Sequence, residues 1–335
     1  MKRRAAVFIG IVLGVILLFF VLATVDLGQV WAALIKAEYG WVGLALVSSA
    51  FALWARAVRW SVLLNGRLPL VQTFHISNIG YMLNALMPFR AGEVARVLLS
   101  ANAVPPVSMM TSVSTIVLER ILDLLFLFGL LGLSLTVLPM PNFVSAGGFT
   151  LALASVAGFI FLFIIAIKRA WSVLLLNRLL HIAPFLRRFQ LETRLSRFLD
   201  GLIVLTSARR FVWMLVWSII AWSLTAASGY IMLYAFFDAA ALPVVLLFIV
   251  TSSLFSAAAG AVSTIPAGIG SFQAGIVLAL AITGYTEPEG APLALAIVLH
   301  ASNLALYTVF GVIGLTRQHI TLDDLLARIR PKSAT

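Results

Sequence analysis

Residues Asn84–Arg96 read Asn-Ala-Leu-Met-Pro-Phe-Arg-Ala-Gly-Glu-Val-Ala-Arg, which places a proline, a glycine, two arginines and a glutamate inside a hydrophobic region. A continuous membrane helix does not tolerate that mixture, because an unpaired charge at the bilayer centre costs at least ~2.5–3.5 kcal/mol on insertion scales. Irregular backbone at membrane depth persists only where it is buried in protein or lines a wet cavity. The stretch is therefore a surface loop or the working part of a membrane protein, and the rest of the chain decides between them.

Of the 335 residues 62% are hydrophobic and only 10% are charged. A soluble domain carries roughly 25% charged residues, so the composition, with a mean hydropathy of +1.09, indicates an all-α polytopic integral membrane protein. The net charge of +11 would suggest nucleic acid in a soluble protein. Here basic residues are expected to collect in cytoplasmic loops, and no nucleic-acid partner is expected. The absence of cysteine excludes disulfides, thiolate chemistry and Cys-based metal sites. Lys2-Arg3-Arg4 precede an apolar run to about Val25, longer than the ~7–15 residues of a cleavable signal core. This run is read as a retained first helix, with no soluble domain at either end and one transmembrane domain over residues 1–335.

Apolar stretches of about 20 residues, enough to cross, fall near residues 5–25, 41–63, 111–138, 149–167, 211–236 and 292–315. Two further regions, 71–104 and 242–284, are interrupted by Pro and Gly. Phe74–Met87, before the first break, and Ser271–Gly284, after the second, are each too short to span at 1.5 Å per residue. The expectation is about six full spans plus two broken or re-entrant helix pairs.

If each interrupted region returns to the side it came from, Lys2–Arg4, Arg56, Arg59, Arg67, the strongly basic 168–210 connection and the C-terminal Arg317, Arg328, Arg330 and Lys332 share one side. The other side keeps Lys36 as its only basic residue, beside Asp26, Glu38, Asp238, Glu287 and Glu289. The positive-inside bias then predicts a cytoplasmic (inner) membrane protein with both termini in the cytoplasm. Within the basic connection, Leu191, Leu195, Phe198 and Leu202 at helical spacing fit an amphipathic helix on anionic headgroups, or a solvated loop that only fixes topology. Thr321 with Asp324 three residues on predicts a short N-capped helix.

Aligning Pro266 with Pro88 gives Pro-x-x-x-Gly in both breaks, ending at Gly270 and Gly92. The surrounding units, about 41–138 and 211–315, joined through the span at 149–167 and the loop 168–210, then have opposite topology. Broken helices in corresponding places of an inverted repeat mark a substrate site near the midplane. Two unrelated kinks are the other reading.

Several side chains carry possible chemistry. Helical geometry after Gly92 would let Glu93 and Arg96 pair and leave Arg90, in the turn, as the cation most available to a ligand. A guanidinium fork matches phosphate oxygens; a self-contained Arg–Glu pair is the alternative. In the third span, Glu119 and Asp123 stand one turn apart with Arg120 alongside. They fit a proton-coupling or cation site, or a salt-bridge network holding that span to the break. His300 and Asn303, one turn apart in the last span, are secondary candidates. The four histidines never take a metal-ligand spacing, so no metal or cofactor is expected, and no nucleotide loop or hydrolase elbow indicates an enzyme.

At these residues the chain resembles a known family. Asn84, Pro88, Arg90, Gly92, Glu93 and Arg96 look like the hallmark of the lysylphosphatidylglycerol synthase transmembrane region, or flippase-like domain. Glu119-Arg120 with Asp123 is similar to its second motif, and Pro266-x-Gly268-x-Gly270 to its third. The family usually has a glutamate three residues after that last glycine, where this chain has Gln273. The soluble aminoacyl-transferase domain of the full synthases is absent, so lysyl transfer is not expected. The resemblance implies translocation of an anionic phospholipid or isoprenoid-type lipid. A lipid-modifying enzyme or accessory subunit, and a small-solute or ion transporter, are the other classes that fit.

Overall fold

A computed structural model describes residues 26–87, 90–135, 142–182, 185, 189–238 and 269–329. The expected first helix, Pro88, Pro266, Gly268 and the apolar approach to the second break lie outside the described residues. Those described form helices and no strand. The helices are α1 Leu27–Lys36, α2 Tyr39–Leu63, α3 Leu70–Leu86, α4 Ala91–Ala101, α5 Met109–Leu135, α6 Asn142–Ile167, α7 Arg169–Ile182, α8 Leu191–Gly201, α9 Ala208–Leu233, α10 Ser271–Ile282, α11 Ala291–Arg317 and α12 Leu322–Ile329.

By length and composition α2, α9 and α11 are able to cross a membrane, and Ala152–Ile167 with α7, bent by 95°, adds a fourth crossing if taken together. α5 is as long as α11 but holds Glu119, Arg120 and Asp123 in its middle. Residues 26–40 lie outside the apolar stretches that predict spans. The structure forms α1 there, because the Asp26 carboxylate accepts from Gly28 N at 2.7 Å and satisfies a donor that a helix start otherwise leaves open.

α2 and α9 form the most extensive helix pair, and small polar residues bring their backbones together. Ser48 Oγ donates to Leu224 O at 2.9 Å, Ser228 Oγ donates to Ala45 O at 3.0 Å, and the Ser49 and Ser228 hydroxyls lie 2.7 Å apart. Short hydroxyl side chains and close backbones are what helix association in lipid selects, since no hydrophobic drive separates helix from tail. α3 packs on α4 and on α11; a Cβ on Gly311 would strike Met82, and one on Gly314 would strike the His75 carbonyl and Ile79.

The 191–202 segment is the amphipathic helix its spacing predicts, but its apolar face meets protein rather than headgroups. α8 turns Leu199 and Leu202 into the core and rests Leu195 and Phe198 against it. It docks on α5 through Thr111 Oγ1, which donates to Arg197 O at 3.0 Å, and through Gly201, where a Cβ would collide with Ser114. The exposed apolar face belongs to α7 instead, with Trp171, Leu174, Leu175 and Leu179 outward at the spacing of one helical stripe. Thr321 does cap α12: Asp324 N donates to its hydroxyl at 3.2 Å, and that hydroxyl lies 2.6 Å from Asp324 Oδ2.

Candidate functional site

The break quoted at the outset becomes a helical hairpin. α3 stops at Leu86, Met87 is extended, and Arg90 takes a left-handed conformation (φ 49°, ψ 42°) before α4 begins. Gly92 is required by contact: a Cβ there would overlap the Gly80 carbonyl, so the two backbones touch. Asn84 Oδ1 accepts from Gly92 N at 2.9 Å, capping α4 from the neighbouring helix. A Cβ on Gly80 would come within 2.7 Å of the Arg96 side chain. The two glycines thus leave the channel through which Arg96 leaves the hairpin.

Arg96 does not pair with Glu93, as local spacing predicted. Its Nη2 reaches Glu119 Oε2 at 2.7 Å on α5, and its guanidinium carbon lies 4.1 Å from the centre of the Trp60 ring on α2. The local rule fails because a fully enclosed carboxylate outcompetes a half-exposed one for the same cation. The other oxygen of Glu119 meets Arg59 Nη2 at 3.2 Å, and Arg59 Nη1 meets Asp123 Oδ1 at 2.7 Å. Arg59, Arg96 and Glu119 are at most 1% exposed, so these charges are stable only because each has an opposite neighbour. Trp60 Nε1 donates to Thr115 Oγ1 at 3.2 Å, holding the ring under Arg96.

The network continues to the surface. Arg120 lies 3.3 Å from Glu119, 3.5 Å from Asp123 and 3.5 Å from Glu93, and Glu93 in turn lies 3.6 Å from Arg90. Arg90 is 44% exposed and Arg120 33%, so an anion arriving from outside meets them first. Four arginines, 59, 90, 96 and 120, face three carboxylates, Glu93, Glu119 and Asp123.

The structure therefore brings Asn84, Arg90, Gly92, Glu93, Arg96, Glu119, Arg120 and Asp123 together, and adds Arg59. Sequence reasoning had counted Arg59 as a cytoplasmic-side charge near the end of a span. The available signal was the charge sum: Glu119 and Asp123 within one turn of a membrane helix need more than Arg120 to balance them.

Gln273 and His300 form a separate pair. Gly270 N donates to Gln273 Oε1 at 2.8 Å, and Gln273 Nε2 lies 2.9 Å from His300 Nδ1. The His300 ring stacks on Phe272 at 4.6 Å. An amide at 273 thus closes the start of α10 and ties it to α11. Asn303, one turn further along α11, is half-buried and outside this pair. Among the described residues no group of His, Asp or Glu is arranged to hold a metal ion.

The family model described as lysylphosphatidylglycerol synthase TM region matches residues 7–311. Neither a curated protein nor a solved structure matches the chain.

Proposed function

The chain belongs to the lysylphosphatidylglycerol synthase transmembrane-region family, and from that premise we propose that it moves an anionic phospholipid or isoprenoid-type lipid across the cytoplasmic membrane. The observation that carries this reading is the arginine–carboxylate network with its cationic excess at the surface end. An arginine fork binds phosphate oxygens in bidentate fashion, and Arg90, held among the described residues by one 3.6 Å contact to Glu93, offers such a fork beside Arg120, which also faces Glu119 and Asp123. The buried part, Arg59–Glu119–Arg96, ties α2, α4 and α5 together behind them. An arriving phosphate takes Arg90 from Glu93 at little cost, because that contact is long and half-solvated, and Arg120 adds its charge while staying on Glu119 and Asp123.

In this reading the α3–α4 hairpin is a re-entrant element opening to the cytoplasm, with both chain termini on that side. The basic residues between 168 and 210 support that orientation. α7, at 95° to the preceding helix with its apolar face outward, fits a helix lying in the headgroup layer. The short α10 after Gly270 is the counterpart of α4 in a second, inverted unit, within a frame of about six crossings.

Leaflet-resolved lipid assays in proteoliposomes test the proposal. Accelerated transbilayer movement of an anionic or isoprenoid lipid that is lost in Arg90→Gln supports it. Unchanged rates for every such lipid, with folded protein, would sink it.

A further inference from the structure

We propose that Arg56 forms a second anion-binding station, deeper in the protein than the Arg90 end and separate from the paired network. The chain has twelve Asp and Glu side chains, and all of them lie among the described residues. None pairs with Arg56. The three at the hairpin and α5 are engaged by Arg59, Arg90, Arg96 and Arg120. Arg56 is therefore a cation within a candidate membrane-crossing helix that has no counter-ion among the described residues, an arrangement expensive enough to mark a functional site.

Its direction excludes the ordinary explanation. Arg56 lies seven residues before Leu63, the end of α2, or about 10 Å along the axis, and an arginine so placed normally snorkels to the nearer interface. This one extends the other way. The Trp54 and Trp217 rings pack edge to face at 5.4 Å, which fixes the level of α9 opposite this part of α2. The Arg56 guanidinium instead meets Trp222 and Thr225, the latter eight residues and about 12 Å further along α9 toward the middle of the pair. Its Nη2 donates to Thr225 Oγ1 at 3.2 Å, and its guanidinium carbon lies 6.0 Å from the Trp222 ring centre.

What holds the side chain leaves most of it available. A guanidinium has five N–H donors, and among the described residues one is used. Arg56, Trp222 and Thr225 are all half-buried, so the free donors are reachable. Tyr307 on α11 lies within electrostatic reach of Arg56, and its ring is 6.0 Å from that of Tyr81. Tyr81 lies within the same reach of Arg59 and Arg120. The two phenols are thus neighbours of each other, one within reach of the paired network and the other within reach of Arg56.

The ligand chemistry is a phosphate-type oxyanion, from a lipid headgroup or free in solution. Native mass spectrometry of the full chain released from phosphatidylglycerol nanodiscs reads the station directly. Arg56→Gln is expected to retain one phosphatidylglycerol fewer than wild type at an unchanged melting temperature, and Arg56→Lys to retain it more weakly. The lipid count is unmoved by excess inorganic phosphate if the ligand is the lipid, and drops if the site takes free phosphate. An unaltered count in both Arg56 variants, with or without phosphate, overturns the proposal and leaves Arg56 as a strut between α2 and α9. If Arg56→Gln fails to insert, Trp222→Leu, which removes the ring but keeps the charge, must lower retention for the proposal to stand. Arg90→Gln is scored separately: loss there with none at Arg56 removes the second station only, and the reverse removes the entry site only.

Discussion

Glu119 is gripped from both sides, its Oε2 by Arg96 of α4 at 2.7 Å and its Oε1 by Arg59 of α2 at 3.2 Å. One carboxylate therefore fastens three helices where side chains are closed off from solvent. Removing it strands the buried Arg96 guanidinium and leaves Arg59 with Asp123 alone, and breaking a buried pair in this way costs about 3–5 kcal/mol. Glu119→Ala is expected to lower the thermal unfolding midpoint in detergent sharply. Arg96→Leu made in the Glu119→Ala background should restore part of that loss, which a double-mutant cycle will measure.

Arg90 should separate stability from transport. A left-handed residue with a side chain carries roughly 1–2 kcal/mol of backbone cost, which glycine does not. Arg90→Gly is expected to melt at or above the wild-type temperature while lipid movement falls about ten- to a hundredfold. That range follows from losing a charged hydrogen bond of about 1.5–3 kcal/mol. Equal loss of both properties would show that Arg90 is only part of the turn.

The two glycines of the hairpin predict different phenotypes. Gly92→Ala drives a methyl into the Gly80 backbone, which cannot yield, and overpacking of this kind costs about 1–3 kcal/mol. Gly80→Ala meets the flexible stem of Arg96 instead. It should melt lower through the lost Arg96–Glu119 pair, so adding Arg96→Leu should recover part of the Gly80→Ala loss and none of the Gly92→Ala loss. Melting curves of the single and double variants distinguish the two.

Gln273→Ala leaves the Gly270 N–H without its acceptor and cuts the link to His300. A buried donor left open costs about 1–3 kcal/mol. Gln273→Glu keeps an acceptor for Gly270 and requires His300 to donate from Nδ1, so the loss should be smaller. A shift in the His300 nitrogen resonances toward the Nδ1–H tautomer would accompany it.

Asn84, Arg90, Gly92, Glu93, Arg96, Glu119, Arg120 and Asp123 were legible in the sequence because charge and backbone punctuation inside apolar runs have few explanations. The partners were not. Arg96 was assigned to Glu93 by i,i+3 spacing, and only the fold shows that Trp60 and Glu119 surround it. Arg56 and Arg59 sit near a helix end, where basic residues are ordinarily topological. Their inward direction depends on how α2 faces α5 and α9, which periodicity does not encode. The 191–202 segment was readable as amphipathic, but its pattern is the same whether the apolar face meets lipid or α5. α1 was missed because ten residues are too few to show a period, and its start rests on the single Asp26 cap.

The contact between Gly80 and Gly92 has a mechanical consequence. Backbones that touch without intervening side chains have no rotamers through which to slip, so α3 and α4 form one stiff finger. Close contact continues toward α11, where Gly314 lies against the His75 carbonyl and Gly311 against the Met82 side chain. Any stroke that carries Arg90 inward then moves the finger as one piece together with the α11 face it is seated on. Its travel is limited by Arg96, tethered to α5 and α2, much as a latch limits a drawer.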